Sequence, residues 1–297
     1  MKKVNKLILF ILSIFVLSSC SKPIKKETKD ESIKEIETKE ETKNESKSET
    51  IKETKEETEK EKETEKEDIN VSSLDTTSYA WSFAYPERLD LLKKYSGFYK
   101  INTNKNTIYL TFDNGYEYKN QTQEILDILK KKNVKTVFFT TSSFLESQKD
   151  TVKRMLKEGH IVANHTHKHL HHGKSTEAEI KNDLVKWEET YKKVIGSKPT
   201  TNLYRPPAGS YSELSLSIAN NLGYKSIFWN FAYADWDPKN QPDEEKSLQK
   251  VLKSNEKGSI VLLHAVSRTN VDILERYIDE TRKQGFEFGQ LKIKWNN

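Results

Sequence analysis

The chain has 297 residues and a formal net charge of +5. Its basic residues are scattered rather than concentrated in a stripe, so no nucleic-acid-binding module is expected. A single cysteine, Cys20, excludes a disulfide within the chain, so an exported domain would have to be stable through its core alone.

The first twenty residues have the pattern of a secretory signal peptide. Three lysines precede an apolar run from Leu7 to Leu17, and Ser18, Ser19 and Cys20 follow it. The run is shorter than the roughly 20 apolar residues that span a bilayer. Cys20 stands where a bacterial lipoprotein carries its lipid; the alternative is a signal peptide in which this cysteine is incidental. We expect an exported lipoprotein, held firmly in the cell membrane by several acyl chains on Cys20.

A highly charged segment follows the signal peptide. Residues 21–70 contain thirteen Lys and eighteen Asp or Glu, with no aromatic residue and no glycine. Such a composition buries too little apolar surface to offset chain entropy, so we predict a disordered tether over residues 21–78. As a coil it would reach about 40 Å. An interaction tail is the alternative. The remaining domain, predicted over residues 79–297, is basic, which suits an anionic polymer as partner.

Strand and helix patterns alternate after an aromatic lead-in segment at 79–105, which we expect to pack against the domain. Strand-like runs occupy 107–112, 136–140, 161–163, 203–205, 226–230 and 259–263. Helical patterns occupy 121–132, 150–158, 176–195, 213–222, 244–255 and 270–284. Repeated βα units predict a parallel sheet, and about 220 residues suit a closed α/β barrel.

Five short motifs lie at the ends of strand-like runs or soon after them. They are Thr111–Gly115 (TFDNG), His165–His169 (HTHKH), Arg205–Gly209 (RPPAG), Asp235–Trp236 and Leu262–His264. In barrels of parallel strands, the active site lies at the carboxyl ends of the strands. The motifs are therefore candidates for one common site.

The five motifs in this order resemble the polysaccharide deacetylases of the NodB type, carbohydrate esterase family 4, over about Ala80 to Lys294. The resemblance implies a distorted, incomplete (β/α) barrel. Within the family the chain resembles most the enzymes that deacetylate N-acetylmuramic acid on the way to the muramic δ-lactam of peptidoglycan. The stretches that carry this resemblance are 91–95, 98–99, 107–117, 228–229 and 262–267. Asn114 replaces a second Asp found in most members, as it does in the muramic acid group.

Two histidines are the first candidates for metal ligands. His165 and His169 are four residues apart, so on a helical turn both rings would face one metal ion. His167 and His171 share this spacing. The family pattern has Ser or Thr after the first ligand, and Thr166 therefore favours His165 and His169. Zinc is the expected ion, with cobalt, manganese or magnesium as alternatives.

The resemblance implies Asn114 as the third ligand, through its amide oxygen. Because this oxygen is neutral, the site would carry one more positive charge than in members with Asp. The alternative is that Asn114 only forms a turn with Gly115.

The family's catalytic roles fall on four further residues. Asp113 would be the general base that takes a proton from the attacking water, and Arg205 would hold its carboxylate ionised and oriented. His264 would be the general acid that protonates the leaving amine. Asp235 would pair with this histidine and raise its pKa.

Three residues are candidates for substrate contacts. The backbone N–H of Ala208 would stabilise the oxyanion. Trp236 and Leu262 would form the wall around the acetyl methyl group; the alternative is that both are ordinary core residues.

The resemblance implies an exported enzyme that acts on the cell wall, with peptidoglycan glycan strands as substrate. It further implies a peptide-trimming amidase upstream, and we expect a monomer. An N-acetylglucosamine deacetylase of peptidoglycan or chitin and a xylan O-acetyl esterase are alternatives with the same chemistry. A carbohydrate-binding lipoprotein with an inactive site is an alternative of another class, although the joint presence of Asp113, Arg205, Asp235 and His264 speaks against it.

Overall fold

A computed structural model of the protein describes residues 73–83 and 87–293. The predicted signal peptide with Cys20, and the predicted tether up to residue 72, lie outside these residues. The end predicted for the tether, residue 78, is wrong, because the Asp75 carbonyl accepts a hydrogen bond from Leu214 N–H (3.2 Å) and Leu74 packs against an apolar cluster of the domain. In the described part of the chain, no helix is both long and apolar enough to cross a membrane.

The described residues alternate between strands and helices. The strands are β1 (Tyr79–Ala80), β2 (Gly97–Phe98), β3 (Thr107–Asn114), β4 (Val137–Thr140), β5 (Ile161–Asn164), β6 (Leu203–Tyr204), β7 (Ser210–Tyr211), β8 (Lys225–Ile227), β9 (Ile260–His264) and β10 (Glu287–Phe288). The α-helices are α1 (Leu89–Lys94), α2 (Gln121–Lys131), α3 (Ser142–Ser147), α4 (Lys149–Lys157), α5 (Glu177–Ile195), α6 (Glu213–Asn221), α7 (Glu244–Lys253) and α8 (Arg268–Lys283). Short 3₁₀ helices lie at His172–Lys174 and Pro207–Gly209.

Most of the strands form one sheet in which every strand pairing is parallel. Its order is β2, β8, β6, β5, β4, β3, and beyond β3 the strands β9 and β10 lie end to end. Directly after β8, residues 230–231 lie beside β9. Asn230 N–H donates to the Ile260 carbonyl (3.0 Å), and Leu262 N–H donates to the Phe231 carbonyl (2.9 Å). The sheet therefore curls, and the predicted distorted, incomplete (β/α) barrel is confirmed.

The twelve predicted strands and helices are all present, each within three residues of its predicted ends. Helix α3 was not predicted from the sequence; it begins where the Thr141 hydroxyl accepts a hydrogen bond from Phe144 N–H (3.2 Å). The short elements of the lead-in segment were not predicted either. Short strands carry too few residues for a periodic pattern, so sequence alone reveals them poorly.

Alternate residues of the strands enter two different apolar layers. In β3, Ile108, Leu110 and Phe112 pack in the layer that contains the buried faces of α2, α4, α7 and α8. Tyr109 belongs to the layer inside the curl, with Val137, Phe139, Ala163, Ile227 and Ile260. By the same alternation Asp113 points to the inside of the curl, whereas Asn114 lies on the helix side.

Candidate active site

The strand register brings the motifs together at one edge of the sheet. Asp113 of β3 is the direct partner of His264 of β9. On the other side, Asn114 is level with Thr140, Thr140 with Asn164, and Asn164 with Tyr204. His165 and Arg205 follow the last two of these residues directly. A cavity of about 1150 Å³ lies at this edge, and Asp113, His165, His169 and His264 line it.

Arg205 holds one oxygen of the Asp113 carboxylate. Its Nη1 donates to Asp113 Oδ1 (2.8 Å), and both side chains are buried. The guanidinium also donates to Thr111 Oγ1 (2.9 Å) and to the Ile227 carbonyl (3.1 Å), and it lies 4.1 Å from the centre of the Phe139 ring. Because its position is set from several sides, Arg205 orients the carboxylate and leaves Oδ2 turned toward His165, 3.5 Å from its Nε2.

The charge of Asp113 is maintained against its burial. Loss of hydration raises the pKa of this carboxyl, but the positive charges around it, above all that of Arg205, outweigh that effect, so its pKa is lowered. An ionised carboxylate that faces a cavity can accept a proton at neutral pH.

The two candidate histidine ligands lie close together, but the prediction that they share a helical turn is wrong. The segment 165–171 is an irregular loop in which Thr166 and His169 have φ values of +71° and +56°. The His165 and His169 rings are nevertheless 4.8 Å apart between centroids. The predicted pair is therefore brought together by loop geometry rather than by helical spacing.

This loop is shaped by Asp183 of α5, which the sequence analysis did not identify. Asp183 is buried, and its carboxylate accepts hydrogen bonds from the backbone N–H groups of Lys168 (2.6 Å) and Leu170 (3.4 Å). His172 lies beside the same carboxylate, with Nε2 3.1 Å from Oδ2, and its other ring nitrogen bonds to the Tyr204 hydroxyl (2.6 Å). α5 itself starts with a capping box between Thr176 and Glu179, which fixes its first turn.

The donor atoms near His165 and His169 fit a divalent cation. His165 Nδ1 bonds to the Arg205 carbonyl (2.9 Å), which leaves Nε2 as the free lone pair. Loss of hydration lowers the pKa of both imidazoles, that of His169 to about 4, so both rings are neutral, as ligation requires.

Asn114 offers the only predicted oxygen donor of this set. It is fully buried and its Nδ2 donates to Thr122 Oγ1 (3.3 Å), while its Oδ1 has no hydrogen-bond partner in the described part of the chain. An unpaired buried oxygen is costly unless a ligand satisfies it. Residues 73–83 and 87–293 contain no group of three or more His, Cys, Asp or Glu placed to hold a metal ion, so a three-ligand site depends on this amide.

The candidate acid His264 is paired with Asp235 as expected. Its Nδ1 lies 2.7 Å from Asp235 Oδ1, and its backbone N–H donates to Asp235 Oδ2 (2.8 Å). Burial lowers the pKa of His264, but the charge and hydrogen bond of Asp235 outweigh it, so the pKa is raised. Asn270 was missed from the sequence: its Nδ2 donates to Asp235 Oδ2 (2.6 Å) and its Oδ1 accepts from the Tyr233 hydroxyl.

The three candidate substrate contacts all line the cavity, at different depths. Leu262 is buried, whereas Trp236 is half exposed, with its ring 6.0 Å from that of His264. Ala208 has φ +52°, and the next residue, Gly209, has φ +61°. A side chain on Gly209 would approach Trp81 Cβ to 2.7 Å, so the RPPAG motif needs glycine there.

The lead-in segment also reaches the cavity, which its sequence did not reveal. Trp81, Ser82 and Phe83 line the cavity wall. Trp81 packs in an apolar cluster with Phe228 and Leu262. The prediction that the segment packs against the domain is confirmed for Trp81, Tyr95, Phe98 and Tyr99, which all pack in or against apolar clusters. Phe83 stays exposed, and Tyr85 lies outside the described residues.

Fold and motif order define the class of protein. The family model for polysaccharide deacetylases matches residues 100–227. Together with the relatives below, this match shows that the chain belongs to the NodB-type polysaccharide deacetylases, carbohydrate esterase family 4.

Three named relatives and solved structures are similar to this chain. The chain is 41% identical over 202 residues to the peptidoglycan-N-acetylmuramic acid deacetylase PdaA of Bacillus subtilis. The matched region covers 68% of this chain and 76% of that protein. The structure of the Bacillus subtilis protein matches with a TM-score of 0.68 at 36% identity, covering 72% of this chain and 95% of that one. A peptidoglycan-N-acetylglucosamine deacetylase of Bacillus cereus is 30% identical over 193 residues, covering 64% and 88%.

Proposed function

We propose that this protein removes the N-acetyl group from N-acetylmuramic acid residues of peptidoglycan. One observation carries the proposal: Asp113 and His264 are direct partners on adjacent strands, and both line one cavity. Each is held by a buried partner, Arg205 for Asp113 and Asp235 for His264. A base and an acid beside one cavity are what hydrolysis of an amide requires. The substrate follows the name of the Bacillus subtilis relative.

In the proposed mechanism, His165, His169 and Asn114 would hold a divalent cation. Zinc suits imidazole nitrogen and amide oxygen donors. When bound, such a cation polarises the acetamide carbonyl and makes water at the site more acidic.

The protein's own side chains move the protons. Asp113, oriented by Arg205, takes a proton from the water that attacks the acetamide carbonyl. The backbone N–H of Ala208 supports the oxyanion that forms. His264, with its pKa raised by Asp235, gives a proton to the leaving nitrogen. The C–N bond breaks, and acetate and the amine of muramic acid are released.

One cavity residue favours muramic acid over glucosamine. Lys168 is the only lysine or arginine among the described residues that line the cavity, and its side chain is exposed. Muramic acid differs from glucosamine by a lactyl ether whose carboxylate is free once the stem peptide has been removed. A lysine at the wall can attract this carboxylate, whereas N-acetylglucosamine offers it no anion.

The order of the reactions on the glycan strand follows from the need for a free lactyl carboxylate. A peptide-trimming amidase would act first and expose the lactyl carboxylate. The amine freed by deacetylation can then close a δ-lactam on the same carboxylate.

We further propose that lipid on Cys20 anchors the protein in the bacterial cell membrane. The charged segment that follows, as far as residue 72, would hold a monomeric catalytic domain clear of the membrane and within reach of the wall. Cys20→Ala should release the protein from membranes into the medium in a fractionation experiment. A variant that still sediments with membranes would contradict lipidation at Cys20.

One assay tests the function. The purified domain is incubated with zinc and peptidoglycan glycan strands that carry or lack stem peptides, and the products are identified by mass spectrometry. We expect deacetylated muramic acid from peptide-free strands, and Lys168→Met should raise KM on them. Deacetylation confined to glucosamine residues would contradict the substrate, and would point to the activity named for the Bacillus cereus relative.

A further inference from the structure

Three large apolar side chains are exposed around the mouth of the cavity. Among the described residues, Phe83, Tyr116 and Trp236 are 48%, 50% and 50% exposed, and all three line the cavity. Exposed aromatic rings lose the free energy that burial would give them. When they cluster around a concave site, they indicate a surface that binds a ligand.

The rings of Phe83 and Trp236 are stacked, and we call this exposed pair the aromatic shelf. Their ring planes differ by 16° and their centroids are 6.0 Å apart. The rings therefore present nearly parallel faces at the mouth of the cavity. Trp236 also contacts the His264 ring (6.0 Å), so the shelf adjoins the position where the leaving nitrogen is protonated.

The backbone around Phe83 is held in place, so the shelf is preorganised. Ala232 N–H donates to the Phe83 carbonyl (3.1 Å) and Trp229 Nε1 to the Ser82 carbonyl (3.1 Å). One residue earlier, Trp81 N–H donates to the Gly209 carbonyl (2.8 Å). These bonds fasten the lead-in segment to the loops that carry the RPPAG and Asp235–Trp236 motifs.

We propose that the aromatic shelf binds the pyranose ring of a sugar next to the one that is deacetylated. One face of a pyranose ring presents C–H groups, which pack against aromatic rings, while its hydroxyl groups stay in water. The cavity, at about 1150 Å³, exceeds the usual range of small-molecule sites and leaves room for more than one sugar. The lead-in segment thereby selects a glycan strand over a single sugar. That the neighbouring sugar is deacetylated rests on the proposed function, whereas the binding of a sugar to the shelf does not.

The test compares substrates of two lengths. For wild type and Phe83→Ala, kcat/KM is measured on N-acetylmuramic acid and on a peptide-free peptidoglycan tetrasaccharide. We expect Phe83→Ala to lower the ratio of tetrasaccharide to monosaccharide kcat/KM about five- to tenfold, in line with the loss of one aromatic contact. Phe83→Trp, which keeps an aromatic ring at this position, should have the wild-type ratio. Leu222→Ala, which removes an exposed leucine outside the cavity lining, should leave the ratio unchanged.

A binding measurement separates the shelf from the catalytic proposal. The affinity of the tetrasaccharide is measured by calorimetry on Asp113→Asn with and without Phe83→Ala, so turnover is not needed. Weaker binding in the double variant supports the shelf even if no deacetylation is found with the wild type. Equal affinities, or an equal fall in kcat/KM on both substrate lengths, would overturn it.

Discussion

Two histidine–aspartate pairs lie at the same end of the barrel, and they differ in exposure. In the first, His264 and Asp235 are joined at 2.7 Å, and their side chains are 24% and 1% exposed. In the second, His172 and Asp183 are joined at 3.1 Å, with exposures of 0% and 1%. The chemistry of the pairs is the same, so their surroundings must decide what each one does.

The difference lies in the second ring nitrogen. His172 uses it for the Tyr204 hydroxyl, so both of its nitrogens are occupied and it has no access to a substrate. His264 lines the cavity, and its Nε2 has no protein partner within residues 73–83 and 87–293. A histidine–aspartate pair can transfer a proton to a ligand only where the second nitrogen is free. The first pair is suited to catalysis, whereas the second stabilises the loop that carries His165 and His169.

The largest effect is expected when that loop loses a ligand. His165→Ala or His169→Ala should abolish both metal binding and activity, because each removes one of the two imidazole donors that we propose for the metal. His167→Ala and His171→Ala are matched controls in the same loop and should be mild. Metal content measured by atomic absorption on the purified variants checks this. If His167→Ala removes the metal instead, the choice of ligand pair is wrong.

The next effect concerns the general base. Asp113→Asn should lower turnover at least ~10²-fold per folded, metal-loaded molecule, the scale expected for loss of general base catalysis. The asparagine oxygen can still accept from Arg205, so the domain should fold, although with a lower free energy of unfolding.

Acetate release and circular dichroism are measured on the same samples. Asp127→Asn, an exposed aspartate paired with Arg154, is the control and should retain activity. Near-normal turnover in a folded, metal-loaded Asp113→Asn would remove this residue from the mechanism.

A smaller effect is expected at the buried pair. Asp183→Asn removes a charge that orders the loop through the N–H groups of Lys168 and Leu170, so it should weaken metal binding about tenfold. It should also lower the free energy of unfolding by about 1–3 kcal/mol. Calorimetric metal titration and thermal unfolding measure the two effects. Asp272→Asn breaks an exposed ion pair with Arg268 and should change neither. Unchanged metal affinity in Asp183→Asn would mean that the loop keeps its shape without this carboxylate.

The smallest change in activity is expected at Asn114. Asn114→Asp gives the site an anionic oxygen, which should tighten metal binding. It should also make water at the site less acidic, so turnover per loaded molecule need not rise. Metal titration by calorimetry compares the variant with wild type, and Asn240→Asp adds the same charge at the surface as a control. Equal affinities for wild type and Asn114→Asp would mean that Asn114 does not contact the metal.

The sequence predicted the barrel and the five motifs because both depend on local patterns. Parallel strands end at a common edge, so polar residues that follow each strand must meet there. Asp113 and His264, separated by some 150 residues, are register partners for this reason.

The parts that could not be predicted depend on backbone conformations and contacts without a local pattern. Spacing indicated a helical turn between His165 and His169, but positive φ values at Thr166 and His169 produce the proximity instead. Nothing in the sequence around Asn270 shows that it bonds to Asp235, 35 residues away. Phe83 reaches the cavity only because the lead-in segment bonds to loops about 150 residues further along the chain.

The most direct test of the account compares His264→Gln with His172→Gln. Acetate release from the peptide-free glycan is measured for both variants, per folded and metal-loaded molecule, together with thermal unfolding. We expect His264→Gln to lose activity by at least ~10²-fold and to unfold near the wild-type temperature. We expect His172→Gln to unfold at a lower temperature but to keep its activity per metal-loaded molecule. Retained activity in His264→Gln, or lost turnover in a fully loaded His172→Gln, would contradict the account.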